Sequence, residues 1–298
     1  MSPPTIDTFS YAAPGDPALK RLVIRLVERL TGQPHLKRMY LENQENPRAG
    51  ETFWDAAVRH LRLHLHLSGE TLDAWPRKGP LIVIANHPFG VLDGILISHL
   101  VHKVRPDFKI LTNAVLNRAP EVRDWLLPIE FAETKEALAG NLKSRAAARD
   151  HLLAGGCVVV FPAGGISTSR HPLYGKAVDA DWGTFTAGLV HQAKADIAPV
   201  FFAGQNSRLF QIASHMSMTL RLSLIFKEVH DRIGSQMAIR IGRVIPYKDL
   251  AAIKDRKAMM RMLRHRTYAL SGDRRLLLNE DESIGAVTTS TDPAHGAT

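Results

Sequence analysis

The chain has 298 residues, 45% hydrophobic and 22% charged, with a mean hydropathy of -0.09, which is typical of a folded globular protein and excludes collagen-like, repeat and disordered classes. Its single cysteine, Cys157, excludes an intramolecular disulfide and a zinc site built on thiolates. The chain has 38 basic and 29 acidic residues, and this net charge of +9 indicates attraction to nucleic acid, an anionic lipid surface or an acidic carrier protein.

The two ends of the chain are predicted to be tails. Residues 1–16 carry Pro, Ser, Gly and Asp without periodicity, and they lack the basic and apolar regions of a signal peptide. Residues 273–298 are predicted to be disordered. No window reaches the roughly 18 consecutive apolar residues of a membrane span. We therefore expect a cytoplasmic protein that can lie on the inner face of the cell membrane without crossing it.

An N-terminal helical segment is predicted over residues 17–75. Its first helix has apolar residues at helical spacing, basic residues on the opposite side, and Gly32 as a stop. The apolar positions are Leu19, Leu22, Val23, Leu26, Val27 and Leu30, and the basic positions are Arg21, Arg25 and Arg29. This pattern serves both a membrane interface and an ordinary surface helix that packs on its own domain. A second helix is predicted over about 52–63.

Residues 76–272 are predicted to form an α/β domain with a mainly parallel sheet flanked by helices. Short β-branched runs at 81–85, 108–112, 157–161 and 197–202 alternate with helical patterns at 95–103, 135–153 and 184–195. Such alternation is typical of crossover units whose sheet is covered on both faces. A late strand over 237–244 and a basic helix over about 254–269 complete the predicted domain.

Polar and glycine-rich residues follow each of the first four predicted strands. Asn86 opens the loop after the first strand, Asn113 the loop after the second, Pro162 the loop after the third and Gly204 the loop after the fourth. In open α/β sheets, ligands bind outside the carboxyl ends of the strands. We therefore expect these loops to converge on one edge of the sheet.

The first loop contains a candidate catalytic pair, His87 and Asp93. An imidazole can take a proton near neutral pH, and a carboxylate can accept from its other nitrogen and fix its orientation. Because the two residues are six positions apart, their side chains meet only if the chain turns between them, and Pro88 and Gly90 supply that turn. The alternative is that both residues only cap a helix.

The third loop, AGGIST, is a candidate anion-binding turn. The backbone amides of Gly164 and Gly165 can face an oxyanion, and the loop continues with the hydroxyls of Ser167 and Thr168 and the cation of Arg170. It is not a P-loop, because no Lys follows the glycines. The G-x-S-x-G elbow of hydrolases is missing, which disfavours a lipid esterase. The same loop also fits a tight strand-to-helix turn without a ligand.

Four stretches, in this order, resemble the conserved blocks of the glycerolipid acyltransferase superfamily of the lysophosphatidic acid acyltransferase type. They are NHPFGVLDG, KILTNAVLNRAPEVRDWLLPIEF, FPAGGIST and IAPVFFAGQNSRLF. They are more similar to its bacterial hemolysin-like branch, which includes acyltransferases of ornithine-lipid synthesis. The chain departs from the main superfamily in having five residues, not four, between His87 and Asp93, and in having Ala163 where the superfamily has Glu.

The resemblance implies an O-acyltransferase that moves a fatty acyl group from an acyl carrier protein or coenzyme A thioester to the hydroxyl of a lysolipid. The acceptor would be of the 1-acylglycerol-3-phosphate or lyso-ornithine-lipid type, and no cofactor beyond the thioester co-substrate is expected. His87 would remove the hydroxyl proton, and Asp93 would orient His87. The expected substrate-binding residues are Asn86, Gly90, Arg118, Arg123, Gly164, Gly165, Ser167, Thr168, Arg170 and Asn206.

Three other readings of the sequence are weaker. His60 and His64 are four apart on a predicted helix, a spacing that zinc uses, but RHLRLHLHL fits an amphipathic face better, so no metal site is predicted. A lipid-surface binding protein without turnover is the main rival, in which His87 and Asp93 would be relics. Nucleic-acid binding is disfavoured because the sequence has no recognised module and no aromatic stacking platform.

Overall fold

The computed structural model describes residues 10, 15, 17–113, 120–129 and 134–276, and seven of its strands form one sheet. In chain order these strands are β1 (His64–Gly69), β2 (Leu81–Ala85), β3 (Lys109–Asn113), β4 (Leu126–Ile129), β5 (Cys157–Val160), β8 (Asp196–Phe202) and β9 (Gln236–Ile241). Their spatial order is β1-β9-β8-β2-β5-β3-β4, and all neighbours are parallel except β8 and β9. The strands β6 (Thr168–Ser169) and β7 (Ala177–Val178) pair separately. The predicted α/β fold with a mainly parallel sheet is confirmed.

Helices cover both faces of the sheet. They are α1 (Ala18–Leu30), α2 (Gln33–Glu45), α3 (Phe53–His60), α4 (Val91–His102), α5 (Lys135–Leu153), α6 (Phe185–Ala193), α7 (Arg208–Met216), α8 (Met218–Ser223), α9 (Ile225–His230), α10 (Tyr247–Leu250) and α11 (Arg256–Ala269). One apolar cluster packs α3 and α4 on the sheet, and another packs α5, α6 and α11 on the opposite face. Short 3-10 helices span Leu72–Ala74 and Pro120–Trp125.

The strand β2 lies at the centre of this arrangement, and all five of its residues are buried. Leu81, Val83 and Ala85 belong to one apolar cluster, whereas Ile82 and Ile84 belong to the other. This alternation follows from the two-residue period of a strand, and the continuous apolar run is typical of a parallel strand covered on both faces. The polar residues that could carry chemistry here begin only after β2 ends, at Asn86.

The helix predicted over about 52–63 is present as α3 but ends three residues earlier than predicted. The helix α3 ends at His60, and the chain from His64 onward forms β1, which pairs in parallel with β9. In this stretch His64 and His66 alternate with leucines at a period of two, which suits a strand better than a helix. His60 and His64 therefore do not share a helix face.

The first helix, α1, buries only Ile24 and Glu28 against the rest of the chain and leaves four of its leucines exposed to solvent. Ile24 is fully buried in a cluster with α7, α8 and α9, and Glu28 accepts a hydrogen bond from the Ser10 hydroxyl at 2.7 Å. The leucines Leu19, Leu22, Leu26 and Leu30 are 55% to 77% exposed. Within the described part of the chain, nothing covers the apolar stripe that these four leucines form. Hereafter they are called the leucine stripe.

Two further sequence expectations concern the chain ends and membrane spans. The predicted tails lie mostly outside the described residues, but Ser10 and Leu276 are both buried. Leu276 packs with Phe201 and Tyr268, so the folded chain extends past the predicted boundary at residue 273. Among the helices that the structure describes, none combines the length and the hydropathy that crossing a bilayer requires.

Candidate active site

Three of the predicted loops meet at the carboxyl edge of the sheet. The N–H of Ser167 in the third loop donates to the carbonyl oxygen of His87 in the first, at 2.9 Å. The ring of Phe89 lies so close to Gly204 in the fourth loop that a Cβ there would come within 2.6 Å of it. The parallel order of β5, β2 and β8 explains this convergence. The loop after β3 continues into residues 114–119, which lie outside the described chain.

The chain turn after β2 brings His87 and Asp93 together. Gly90 has a φ of 72°, a left-handed value that favours glycine, and the Asp93 carboxylate accepts from the N–H groups of Phe89 at 2.7 Å and Gly90 at 3.0 Å. The Nδ1 atom of His87 lies 3.1 Å from Oδ2 of Asp93, although the two are not aligned as a linear hydrogen bond. Asp93 therefore caps α4 and faces the imidazole at once.

The two side chains of the pair differ in how deeply they are buried. The Asp93 side chain is fully buried, and burial raises the pKa of this carboxyl, against the opposing effect of His87 and the two N–H donors. The His87 side chain is 17% exposed, and its ring stacks on Phe161 with the centroids 4.0 Å apart. With Nδ1 directed at Asp93, the other ring nitrogen, Nε2, has no hydrogen-bond partner among the described residues. Nε2 is therefore the ring nitrogen that remains available for a reacting group.

Asp179 holds the loops together, and sequence reasoning missed it. Its Oδ1 accepts from the backbone N–H of His87 at 3.1 Å and from the Ser167 hydroxyl at 2.5 Å, and its Oδ2 accepts from Trp182 Nε1 at 2.9 Å. The side chain is almost completely buried. No local motif marks this aspartate, which lies 92 positions from the histidine it supports.

Several of the predicted substrate-binding groups instead make hydrogen bonds within the protein. The Asn86 side chain donates to and accepts from the backbone of Phe202, at 2.9 and 2.7 Å. The Ser167 hydroxyl is buried on Asp179, and the N–H of Gly164 donates to the carbonyl of Phe161. These groups position the loops, as does Gly90, whose absent Cβ leaves room for Ile166.

The remaining predicted binding residues divide by location. Gly165 and Arg170 are exposed in and after the third loop, and Thr168 is half-buried in β6. Asn206 is buried in the fourth loop, and neither atom of its side-chain amide has a partner in the described chain. Arg118 lies outside the described residues.

The structure does not bring Arg123 to this edge. It lies in the 3-10 helix Pro120–Trp125 that precedes β4, and β4 is parallel to β3. Its backbone is therefore at the amino ends of the strands, on the side of the sheet opposite His87. The Nε1 of the neighbouring Trp125 donates to Pro106, just before β3, which fixes the 3-10 helix there. The direction of β4 therefore corrects the expectation that Arg123 helps to bind the acceptor.

A mostly apolar cavity of about 190 Å³ lies along α4, the helix that carries Asp93. One wall is a single face of α4, made by Val91, Gly94, Ile95 and Ser98 at the spacing i, i+3, i+4 and i+7. The other walls come from α2, α3, β3 and α9. The lining begins at the first residue of α4, the end of the helix that also carries Asp93, although neither Asp93 nor His87 lines the cavity.

Comparison with known proteins finds acyltransferases in each case. A family model described as an acyltransferase matches residues 32–274. The lyso-glycine lipid O-acyltransferase of Phocaeicola vulgatus is 21% identical over 238 residues, which cover 77% of this chain and 81% of that protein. The protein of the same name from Bacteroides thetaiotaomicron is also 21% identical over 238 residues, covering 77% and 83%. Among solved structures, the 1-acyl-sn-glycerophosphate acyltransferase PlsC of Thermotoga maritima has a TM-score of 0.47 and 12% identity over 85% of this chain and 96% of that one.

Proposed function

The chain belongs to the acyltransferase family and is an enzyme of acyl transfer, and on this premise we propose that it esterifies the hydroxyl of a lysolipid with a fatty acyl group from a thioester. The observation that carries the proposal is the contact of His87 with the buried Asp93 at the carboxyl edge of the sheet. The donor is the thioester of acyl carrier protein or coenzyme A. The basic chain, with its net charge of +9, suits both of these anionic carriers.

In the proposed reaction, Nε2 of His87 takes the proton of the acceptor hydroxyl as its oxygen attacks the thioester carbonyl. The Asp93 carboxylate stabilises the imidazolium that forms, and its two backbone N–H donors keep it in place. The C–O bond forms, the C–S bond breaks, and the leaving thiolate takes the proton back from His87. Atoms and charge balance without a further co-reactant.

Direct transfer fits the site better than an acyl-enzyme. The Ser167 hydroxyl is buried and bonded to Asp179, so it is not available as a nucleophile. Cys157 lies inside β5, and burial raises the pKa of its thiol to about 12, which leaves almost no thiolate at neutral pH. The acceptor hydroxyl is then the nucleophile that His87 activates.

The apolar cavity is the place that we assign to a fatty acyl chain. It runs along α4 from Val91, at the end of the helix that carries Asp93, past Gly94 to Ser98. These small residues leave room that larger side chains at the same positions would fill. Burying methylene groups there contributes binding free energy of about 0.8 kcal/mol for each CH₂ that leaves water.

For the acceptor, we infer a lysolipid with an anionic headgroup. The two curated relatives act on a lyso-glycine lipid by name, and a glycine headgroup carries a carboxylate. Lyso-ornithine lipid and 1-acylglycerol 3-phosphate share the two required features, a free hydroxyl and an anionic group. Ala163, in place of a carboxylate, keeps the third loop free of a negative charge that would repel such a headgroup.

The leucine stripe on α1 supports a membrane-bound site of action, the cytoplasmic face of the cell membrane. The stripe is exposed, and Arg25 and Arg29 on the same helix are exposed as well. Leucines that enter the acyl region beside arginines at the headgroup level are typical of interfacial helices on anionic lipid. Such binding would present the site to acceptors that reside in the membrane.

A donor and acceptor panel tests the proposed activity. Purified protein is incubated with acyl carrier protein and coenzyme A thioesters of one chain length and with each lysolipid, and the products are identified by mass spectrometry. We expect an O-acylated lipid with at least one anionic acceptor. Release of free fatty acid without any acylated lipid would instead show thioester hydrolysis and contradict the proposal.

Vesicle binding tests the membrane surface separately. We expect the protein to sediment with anionic vesicles at low salt, to be partly released by salt, and to bind neutral vesicles less. The double variant Leu22→Gln, Leu26→Gln should lose retention, whereas Leu153→Gln, which changes an exposed leucine on α5, should not. Equal retention of all three proteins would assign the leucine stripe no role at the membrane.

A further inference from the structure

Arg221 lies beside the third loop, and no sequence motif marked it as a site residue. It is on α8, and its Nη2 donates to the carbonyl oxygen of Ile166 at 2.6 Å. The next peptide N–H, that of Ser167, donates to the carbonyl of His87 at 2.9 Å. One planar peptide unit, between Ile166 and Ser167, therefore contacts both the arginine and the catalytic candidate.

The guanidinium of Arg221 has hydrogen-bonding capacity that the described chain does not use. Arg has five N–H donors, and the bond to Ile166 is the one side-chain hydrogen bond that Arg221 makes with described residues. No carboxylate in the described chain pairs with it, in contrast to Arg232, which is bonded to Glu228. Burial lowers the pKa of Arg221, as expected for a cation with no counterion.

A backbone donor lies next to this cation. Gly165 is exposed, and its N–H makes no hydrogen bond within the described chain, whereas the N–H of Gly164 is used by Phe161. A Cβ at Gly165 would lie 4.0 Å from Nη2 of Arg221. A cation and a free backbone amide this close together are a suitable pair of donors for a small oxyanion.

We propose that Arg221, with the N–H of Gly165, binds the anionic headgroup of the acceptor and so determines which lysolipids react. This inference rests on the proposed function, since it names the residue that recognises the acceptor of that reaction. The shared chemistry is an oxyanion, either the carboxylate of an amino-acid headgroup or a phosphate. An anion held here lies beside the loop segment whose Ser167 N–H is bonded to the His87 carbonyl, on the same edge of the sheet as the candidate base.

The test compares one anionic acceptor with its uncharged ester and with a second acceptor that carries a different anionic headgroup. The acceptors are an N-(3-hydroxyacyl)glycine, its uncharged methyl ester, and 1-acylglycerol 3-phosphate with the same acyl chain. In Arg221→Met we expect the KM for the preferred anionic acceptor to rise about 10- to 100-fold, the range of a lost charged hydrogen bond, with little change in the KM of the donor. The poor reaction of the methyl ester should be the same in both proteins. The anionic acceptor with the larger rise identifies the headgroup.

Two controls separate recognition from folding and from net charge. Arg208→Met removes the same charge from the neighbouring helix α7, where Arg208 is exposed, and should leave the KM unchanged. Arg221→Lys keeps the cation but loses the planar fork, so its KM should fall between those of Arg221→Met and the unsubstituted protein. An equal loss with the methyl ester, or no change in KM with either anion, would overturn the proposal.

A binding measurement keeps this proposal distinct from the proposed function. N-Dodecanoylglycine carries the carboxylate and lacks the hydroxyl, so calorimetry reports headgroup binding without turnover. We expect Arg221→Met to weaken its binding about 10-fold or more and Arg208→Met to leave it unchanged. If the unsubstituted protein acylates no lysolipid, the proposed function fails, while this measurement still supports or overturns the role of Arg221.

Discussion

Two histidine–aspartate pairs each have one member on α4, and in both the aspartate occupies the same position in its helix. Asp93 is at the third position of α4 and accepts from two backbone N–H groups at the start of that helix. Asp55 is at the third position of α3 and accepts from the backbone N–H and the hydroxyl of Thr52. His87 contacts Asp93 at 3.1 Å, and His99 contacts Asp55 at 2.7 Å. By distance alone, the second pair is the better one.

Their surroundings differ. Asp93 is fully buried and its pKa is raised, chiefly by burial, whereas the side chain of Asp55 is 35% exposed and its pKa is lowered, with hydrogen bonds from Thr52 and the charge of His99 outweighing desolvation. The first pair lies at the carboxyl edge of the sheet, among the loops that follow the strands. The second lies further along α4 and ties it to α3. Position on the fold, not the pair itself, separates a catalytic candidate from a helix-to-helix contact.

The largest expected effect is the loss of activity in His87→Ala. Removal of a general base costs on the order of 10²- to 10⁴-fold in rate, and we expect a loss near the upper end because the described site offers no second base in contact with Asp93. The melting temperature should change little. Initial rates of acyl transfer and a thermal melt measure the two quantities.

His99→Ala is the matched control for that substitution. It removes the imidazole of the structural pair, so we expect a loss of about 1–2 kcal/mol in the free energy of unfolding and a rate close to that of the unsubstituted protein. If the two alanine variants lost similar fractions of the rate, the distinction between the pairs would collapse.

Exchange of the aspartates for asparagine sharpens the comparison, because the two changes should act in opposite ways. Asp93→Asn removes the charge that supports the imidazolium, and we expect the rate to fall about 10²-fold or more. Because this change also removes a buried charge, the free energy of unfolding should stay level or rise by up to about 1 kcal/mol. Asp55→Asn should keep the rate and lose about 0.5–1 kcal/mol of stability. Chemical denaturation and initial rates report both effects.

The turn that forms the first pair can be broken at Gly90. Alanine at Gly90 must adopt a φ of 72°, and its Cβ would come within 2.6 Å of the Ile166 side chain. We expect a loss of about 1–3 kcal/mol in stability together with a loss of activity. The control is Gly140→Ala inside α5, where a Cβ meets nothing within 4 Å, alanine favours the helix, and no wall of the cavity is changed. A stable and active Gly90→Ala variant would show that the turn does not need glycine.

The smallest expected effect is on the pH dependence of stability. The pKa of His99 is lowered, chiefly by burial, so the unfolded chain takes up this proton at a higher pH than the folded chain does. Stability should therefore fall as the pH drops below about 6.5, the usual pKa of histidine. His99→Gln should make that decline shallower, as measured by denaturant midpoints between pH 7 and 5. An unchanged slope would exclude His99 as a contributor.

The sequence predicted the regular part of the fold because the periodicity there is strong. The bounds of β2 coincide with the predicted run at 81–85, and the predicted helix over 135–153 coincides with α5. Short helices were missed, since six residues make fewer than two helical turns and show too little of an apolar face. The helices α8 and α9, with six residues each, are examples.

The candidate site was predictable only where residues adjacent in sequence form it. His87 and Asp93 share one loop, so their spacing and the turn residues between them predicted the contact that the structure has. Asp179 and Arg221 act across long loops, and no local pattern shows which aspartate or arginine will meet the third loop. Arg123 was misplaced because a motif gives the order of residues along the chain but not the direction in which the following strand runs.

The buried position of the one cysteine has a practical consequence for spectroscopy. Cys157 lies in the middle of the sheet with its thiol pKa raised to about 12, so thiol reagents that need a thiolate find almost none in the folded protein. The natural chain is thus its own unreactive background for site-directed labelling. A cysteine introduced at Leu26 or at Gly165 would carry a spin label or a fluorophore alone, and could report immersion depth at the lipid surface or occupancy of the third loop.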